Sequence, residues 1–434
     1  MNDALLVGYA RVDITPTEPV PLGGLGNADK RISTSVHDRL YTTCIAFTDA
    51  DGETALLYTS DLIRAIRPLS ERARAAIREV FDIAPEKIMF SGSHTHSGPE
   101  IYIDEKIPYM VTYKQMFVNQ AVEAARIAMA DRKPASLFIG RTADTDRMNF
   151  VRHYKKNEAG EWCAHQTDPD PLLQMLKIVR QGGQDILMMN WQAHPCMAYP
   201  HDRFCVSSDY IGPTRSYLEE KAGGLFVFFQ GAAGNLTVCS KVKGEELTDD
   251  AEKYGALLGE CALKALENMT PVAGGKIRSA SRIVSLPVDH SDDHMVPDAE
   301  KIAALWHETN NGKEVKKAAA PYGINSPYHA LAILRRANSE DYRDMELCAL
   351  AIGELGITFS PYEMFCQSGE YVREHSPFDA TFVISCANDA FNYLPSEIAF
   401  EYGCYEKDNR NFPRGSAEML AYNFVSMLNR LKSE

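Results

Sequence analysis

The chain has 434 residues, 45% of them hydrophobic and 24% charged, and a formal net charge of -14. This is the composition of a folded globular protein with ample material for a large core, and its acidic balance argues against a nucleic-acid partner, whose backbone is also anionic. No apolar run reaches the roughly 18–20 residues of a membrane span, and the opening MNDALLVGYARVDITP has no basic stretch followed by an apolar one, so no secretory signal is read there. The ten cysteines include no C-x-x-C pair and read as reduced thiols of a cytoplasmic protein. The sequence carries no signal of an oligomeric state.

In chain order, LLVGYARVDIT reads as a strand that stops before Pro16. CIAFTDADGETALLYTSD reads as a hairpin turning at Gly52. SERARAAIREVF, after Pro68, has helical spacing of its apolar residues. KIMFSGS is a short buried strand that delivers SGSHTHSGPE, and residues 109–131 form a second helix. DILMMNWQAHP is a strand ending in a histidine. GPTRSYLEEKAG is a helix stopped by Gly223-Gly224, and LFVFFQGAAGN is a strand running into a glycine-rich turn. The next helix, DDAEKYGALLGECALKALENM, has Asp249 and Glu252 placed for capping. Residues 285–345, SEDYRDMELCALAIG included, are polar and helix-rich and read as a helical insertion of about that extent. LGITFSPYEMF, ATFVISCAND and a closing helix SAEMLAYNFVSMLNRL complete the chain. Strands recur with helices throughout, so the expected fold class is α/β: mixed β-sheets layered with helices, in a single large catalytic domain spanning 1–434.

Chemistry-bearing residues gather where strands end. In a strand, residues i and i+2 share a face, so His94 and His96 project together if the strand continues through them. That suits metal ligation by both, or one ligand beside one acid/base group, with Ser93, Thr95 and Ser97 as supporting hydrogen bonders; a polar strand end is the bland alternative. His194 ends another apolar strand and would complete a three-histidine cluster, or serve as a satisfied structural histidine. Glu363, in TFSPYEMF, is a third strand-end candidate, as a ligand or a helix cap. Tyr393, in ANDAFNYL, is an unusual ligand type. Gly231-Ala232-Ala233-Gly234 lets backbone approach a ligand and offer N–H donors, or is simply a tight turn beneath a helix.

These stretches together resemble the catalytic domain of the neutral/alkaline non-lysosomal ceramidases, a zinc amidase family. The resemblance runs through VGYARVDITP, HDRLYTTCIAF, SGSHTHSGP, NWQAHP, SSDYIG, FFQGAAGN, SPYEMF and CANDAFNYLPSEIAFEYGCYE, and is weakest over 285–345. It implies Zn2+ held by His94, His194, Glu363 and Tyr393, with His96 left to act on substrate or water. It implies an active-site tyrosine at Tyr405 and a substrate-binding arginine at Arg152. His37 would hold a nearby loop, and Asp61 and Asp209 would orient ligand histidines.

The chain departs from that family in three places. The family's Gly-Asp-x-Ser-Pro is Gly234-Asn235-Leu236-Thr237-Val238, so Thr237 stands where the serine has a catalytic part. No carboxy-terminal β-sandwich follows, and no export signal precedes. These departures point away from ceramide itself. The expected activity is zinc-activated water cleaving the amide of a small-molecule N-acyl or lipid-like substrate. His96, at an ordinary histidine pKa, would shuttle the proton, and Tyr405 and Arg152 would share the oxyanion. The competing expectation, drawn from Asn235 and Thr237, is a degenerate relative that binds a ligand or metal without turnover.

Overall fold

Two β-sheets pack face to face, and helices cover the outer face of each. This computed structural model describes residues 5–25, 28–102, 108–145, 148–152, 154–156, 162–164, 169–198, 202–238, 248 and 250–434. The larger sheet runs in the order Leu225–Gln230, Ile186–Trp191, Leu173–Arg180, Lys133–Thr142, Leu6–Asp13, Tyr41–Thr48, Thr54–Ser60, Ile88–Gly92, with Thr270–Val272 also paired to Lys133–Thr142. The smaller sheet is Ile277–Pro287, Tyr342–Ile352, Leu355–Phe359, Ala380–Ile384. The expected fold class of mixed sheets layered with helices is the one observed, since both sheets combine antiparallel and parallel neighbours.

Alternation of side chains builds the layers. In Thr54–Ser60, Ala55 and Leu57 enter the core between the sheets. Leu56 and Tyr58 face the helices Arg67–Arg78 and Pro108–Ala130. In Tyr342–Ile352, Cys348, Leu350 and Ile352 join the central core, while Met345, Leu347, Ala349 and Ala351 pack on Leu420, Phe424 and Leu428 of the closing helix Ser416–Ser433. Each large aliphatic or aromatic side chain so buried contributes about 1.5–3 kcal/mol. The hairpin turns at Gly52, whose φ of 88° suits glycine. The cap of the helix Ala251–Glu267 is Asp250, whose carboxylate accepts from the Glu252 and Lys253 amides; Asp249 lies outside the described residues.

The helix-rich reading of 285–345 needs correction at both edges. Ile277–Pro287 and Tyr342–Ile352 are antiparallel partners over their whole length, from Ile277↔Ile352 to Pro287↔Tyr342. The helices Val296–Thr309, Gly312–Ala319 and Pro327–Ala337 rise between them on a small core of their own that includes Ile302, Trp306 and Ile333. MELCALAI is built from good helix formers, yet burial on both faces makes it a central strand. Tertiary packing overrides its propensity. Among the described residues no helix is long and apolar enough to cross a membrane. Cys44, Cys205, Cys348, Cys366 and Cys386 are buried free thiols.

The larger sheet curls until its edge strand Leu225–Gln230 approaches Thr54–Ser60 and Ile88–Gly92 at the opposite end. The segment after Ala380–Ile384 fills the seam: the Ser385 amide donates to Gln230 O, and Ala387 bridges Ser91. The carboxyl ends of Ile88–Gly92, Ile186–Trp191, Leu225–Gln230 and Leu355–Phe359 therefore lead into one region. In sheets with parallel neighbours this is the usual place for a ligand.

Candidate metal centre

His94, His96 and His194 meet in that region, with one potential ligand atom from each lying within 4.8 Å of the others. Their rings are mutually edge-on, with centroids 5.1 Å (His94–His96), 4.7 Å (His94–His194) and 5.5 Å (His96–His194) apart. The H-x-H pair does not converge by strand alternation, as the sequence suggested. The strand ends at Gly92, and His94 adopts φ 70°, a left-handed conformation uncommon for a non-glycine residue. Such backbone costs on the order of 1–3 kcal/mol and persists where surroundings hold it. Here the His94 amide donates to Leu62 O (3.0 Å), and its Nδ1 lies 2.7 Å from Ile63 O.

Backbone carbonyls fix the rings. Since Ile63 O can only accept, His94 Nδ1 carries a proton and Nε2 faces inward; Leu236 O does the same for His194 Nδ1 at 2.8 Å. Glu363 Oε2 stands between the two, 3.3 Å from His94 Nε2 and 3.1 Å from His194 Nε2. The Nε2 atom of His96 is buried without a hydrogen-bond partner among the described residues. Tyr393 reaches the same place because Glu363–Met364 and Tyr393–Leu394 pair in parallel, with Glu363 opposite Tyr393; its ring centroid is 6.4 Å from that of His194. Imidazole nitrogens and a carboxylate oxygen at these separations suit a tetrahedral zinc, with Zn–N and Zn–O distances of about 2.0–2.2 Å. The residues present fit the ion.

Burial, then the charges of His94 and His194, holds the His96 pKa well below the histidine range, so the ordinary value expected from sequence does not hold. Burial and Arg152 bring His194 down to about 4. For His94 burial works the same way, but Cys386, with Sγ 3.4 Å from Nδ1, and Glu363 outweigh it and push the pKa up to about 10. Burial opposes ionisation of Glu363, yet His94 and His194 hold its pKa well below the carboxylate range. The cluster thus keeps the Glu363 carboxylate charged among imidazoles, a donor set that suits a cation.

Asp61 and Asp209 do not orient the histidines. Asp61 pairs with Arg215 (2.9 Å) and accepts from the Tyr41 amide, and Asp209 accepts from the Ala198 and Tyr210 amides. Thr95 pins the loop instead of a ring, its Oγ1 donating to Ser207 O at 2.7 Å, and the buried Ser93 hydroxyl has no hydrogen-bond partner among the described residues. His37 sits away from the cluster, 3.5 Å from Glu252. Arg31, which the sequence reading missed, donates to both Gly23 O (2.7 Å) and His96 O (2.6 Å), and so clamps the two loops together.

The two glycine amides of the Gly-Ala-Ala-Gly turn are used within the fold. Gly231 N donates to Trp191 O and Gly234 N to Met364 O. A Cβ at Gly234 would lie 2.5 Å from Glu363 O. Gly234→Ala is therefore expected to cost about 1–3 kcal/mol by overpacking against backbone and to displace Glu363. Thermal melts with and without zinc should show lower stability and a smaller zinc-dependent gain; an unchanged gain would contradict this coupling. Asn235 caps the helix Cys366–Glu374 from outside: its Oδ1 accepts from the Cys366 amide at 2.9 Å, and its Nδ2 donates to Gln367 Oε1 at 3.1 Å, a bond that an aspartate carboxylate could not make. Thr237 is buried one residue past Leu236, whose carbonyl orients His194.

Arg152 is committed within the protein. Its Nη2 lies 2.7 Å from Glu406 Oε1 and donates to Gly234 O at 2.7 Å, while its guanidinium covers the Tyr393 ring. Tyr405, 45% exposed, stands at the mouth with its ring centroid 5.8 Å from that of Tyr393. The cavity above the histidines has a volume of about 350 Å³, and Thr237 and Asn235 are not among its lining residues. Arg64, Glu100 and Arg335 line it and were not singled out from sequence. Arg64 had a signal, three residues past the strand-end Asp61 in TSDLIR; Arg335, on a helix of the insertion, had none.

The sequence profile of neutral/alkaline non-lysosomal ceramidase, N-terminal, matches residues 5–264. Neutral ceramidase B of Dictyostelium discoideum is 24% identical over 229 residues, 50% of this chain and 31% of that protein. Neutral ceramidase 3 of Arabidopsis thaliana is 28% identical over 234 residues, 48% of this chain and 29% of that protein. These alignments thus span under a third of the curated relatives' length. The structure of neutral ceramidase from Pseudomonas aeruginosa superposes with a TM-score of 0.74 at 18% identity, over 100% of this chain and 75% of that one. A ceramidase complexed with C2 gives a TM-score of 0.75 at 17% identity, over 100% and 76%. With the fold shared over the whole chain and the profile matched over more than half of it, the chain belongs to the neutral/alkaline non-lysosomal ceramidase family.

Proposed function

We propose that the chain is a zinc-dependent hydrolase cleaving the linear amide bond of an N-acyl small molecule other than ceramide. The observation that carries this is the convergence of three imidazoles and Glu363, with the Nε2 of His96 buried and unpartnered among the described residues. His94, His194, Glu363 and Tyr393 would hold the ion. When bound there, zinc lowers the pKa of water to about 7 and polarises a carbonyl.

The protein's own groups do the rest. His96, kept neutral by its surroundings, accepts the proton of the attacking water and passes it to the leaving nitrogen. The water oxygen joins the acyl carbon, the C–N bond breaks, and an acid and an amine leave. Tyr405, at the mouth, donates its hydroxyl to the carbonyl oxygen as charge develops there. That hydroxyl is protonated at neutral pH, as a tyrosine ordinarily is, and desolvation, against the opposing charge of Arg152, raises its pKa further. Arg152 is a positioning residue: paired to Glu406 and lying over the Tyr393 ring, it orients a ligand instead of gripping substrate. Thr237 enters as part of the wall behind His194.

A relative that binds without turnover is not favoured, because Asn235 has its own capping duty and neither it nor Thr237 lines the cavity. The cavity, about 350 Å³ with several charged walls, suits a small polar molecule better than two long alkyl chains. The test is hydrolysis of N-acyl amines, N-acyl amino acids and short-chain ceramides by the zinc-loaded protein. Cleavage of a small N-acyl compound in preference to ceramide, abolished by a chelator and restored by zinc, is the expected result. Chelator-insensitive cleavage, or ceramide as the best substrate, counts against the proposal.

A further inference from the structure

The cavity wall holds two arginines for which the proposed chemistry has no use. Arg64 follows Ile63, whose carbonyl orients His94, so it lies on the metal side. Its Nη1 lies 3.4 Å from Asn392 Oδ1, and its Nε is buried with no hydrogen-bond partner. Arg335 comes from the helix Pro327–Ala337 and is tied to the far wall: Nε donates to Asn411 Oδ1 and Nη2 to Asn409 O, both at 2.9 Å. Among the described residues neither forms an ion pair. Burial and the neighbouring Arg336 and Arg343 bring Arg335 down to about 10, so it remains charged at neutral pH without a compensating carboxylate.

The charge count around the cavity is uneven. Glu363 is taken up by the metal site. Glu100, the other carboxylate in the described wall, accepts from the Tyr102 amide at 3.0 Å and is felt by Arg64 only at longer range. Arg64 and Arg335 stand against Glu100 and Glu363 in the described wall, and a zinc ion held by Glu363 would add two further positive charges, so the loaded cavity has positive charge in excess. A buried or half-buried cation without a counter-charge is costly unless an anion arrives. Guanidinium groups bind carboxylates with strong, directional hydrogen bonds.

Resting on the hydrolase reading above, we infer that Arg64 and Arg335 make the cavity selective for a substrate bearing a single carboxylate, of the N-acyl amino acid class. The acyl carbonyl faces the histidine cluster, and the carboxylate of the leaving amine lies toward the arginines. The helical insertion, through Arg335, thereby takes part in substrate selection.

The test compares N-acetyl-L-leucine with its neutral isostere N-acetyl-L-leucinamide on the zinc-loaded protein, by kcat/KM and by calorimetric binding. Charge-assisted hydrogen bonds of about 1.5–3 kcal/mol correspond to a preference of roughly 10- to 100-fold for the acid. Arg64→Gln and Arg335→Gln should each move that preference toward one, chiefly through KM and binding. Zinc content and melting temperature report that the variants fold. N-acetyl-L-leucinol phosphate provides the dianionic arm and should bind more weakly than the acid. Equal binding of acid and amide, a preference unaltered in both variants (a carboxylate held by zinc alone), or tighter binding of the phosphate would each overturn the inference. Selective, arginine-dependent binding of the acid without hydrolysis of any amide would uphold it and sink the hydrolase reading alone.

Discussion

His94→Ala is expected to abolish stoichiometric zinc binding and to reduce amide hydrolysis about 10³-fold or more, because the ion supplies several kcal/mol of charge stabilisation. The position is over-determined. A left-handed backbone, an amide bond to Leu62 O and a ring bond to Ile63 O together aim Nε2 at Glu363. Removing the ring leaves Glu363 with His194 alone at 3.1 Å. Metal analysis alongside initial rates checks the prediction, and a variant that keeps both zinc and activity would remove His94 from the ligand set.

His96→Ala has a different expected signature. Zinc should stay near one equivalent while kcat falls about 10²–10⁴-fold, the usual worth of a positioned proton-transfer group. The geometry makes this the sharper experiment, because His96 lies as close to the other two rings as a third ligand would. Zinc lost together with activity would mean that all three histidines ligate and the proton passes elsewhere. Tyr405→Phe should lower kcat about 10²–10³-fold with zinc retained, as removal of one oxyanion donor does; unaltered kcat would take the exposed tyrosine out of the chemistry.

Much of the fold was legible because burial follows strand and helix periods in this chain. The hairpin at Gly52, the buried strand before His94 and the helix stopped by Gly223 all lie where turn chemistry and apolar spacing put them. Tyr342–Ile352 was misjudged because a strand buried on both faces loses its alternation, and its Met, Glu, Leu and Ala content mimics a helix. The ligand types at strand ends could be picked out one by one. Their meeting could not, since it depends on the larger sheet curling until its edges approach. The orienting groups of the histidines were missed for a related reason: they are the carbonyls of Ile63 and Leu236, and a backbone atom leaves no mark on the sequence. Asp61 and Asp209 had the right chemistry at the right strand ends, but closer partners had already claimed them. Arg152 was matched to substrate on residue type, and its pairing with Glu406, far along the chain and next to Tyr405, could not be read from sequence.

The central claim is that this cluster is a zinc site. Zinc content of the protein purified without chelator tests it most directly. About one equivalent per chain, lost in His94→Ala and retained in Tyr405→Phe, is the predicted result; less than about half an equivalent, or zinc that survives loss of His94, would contradict it.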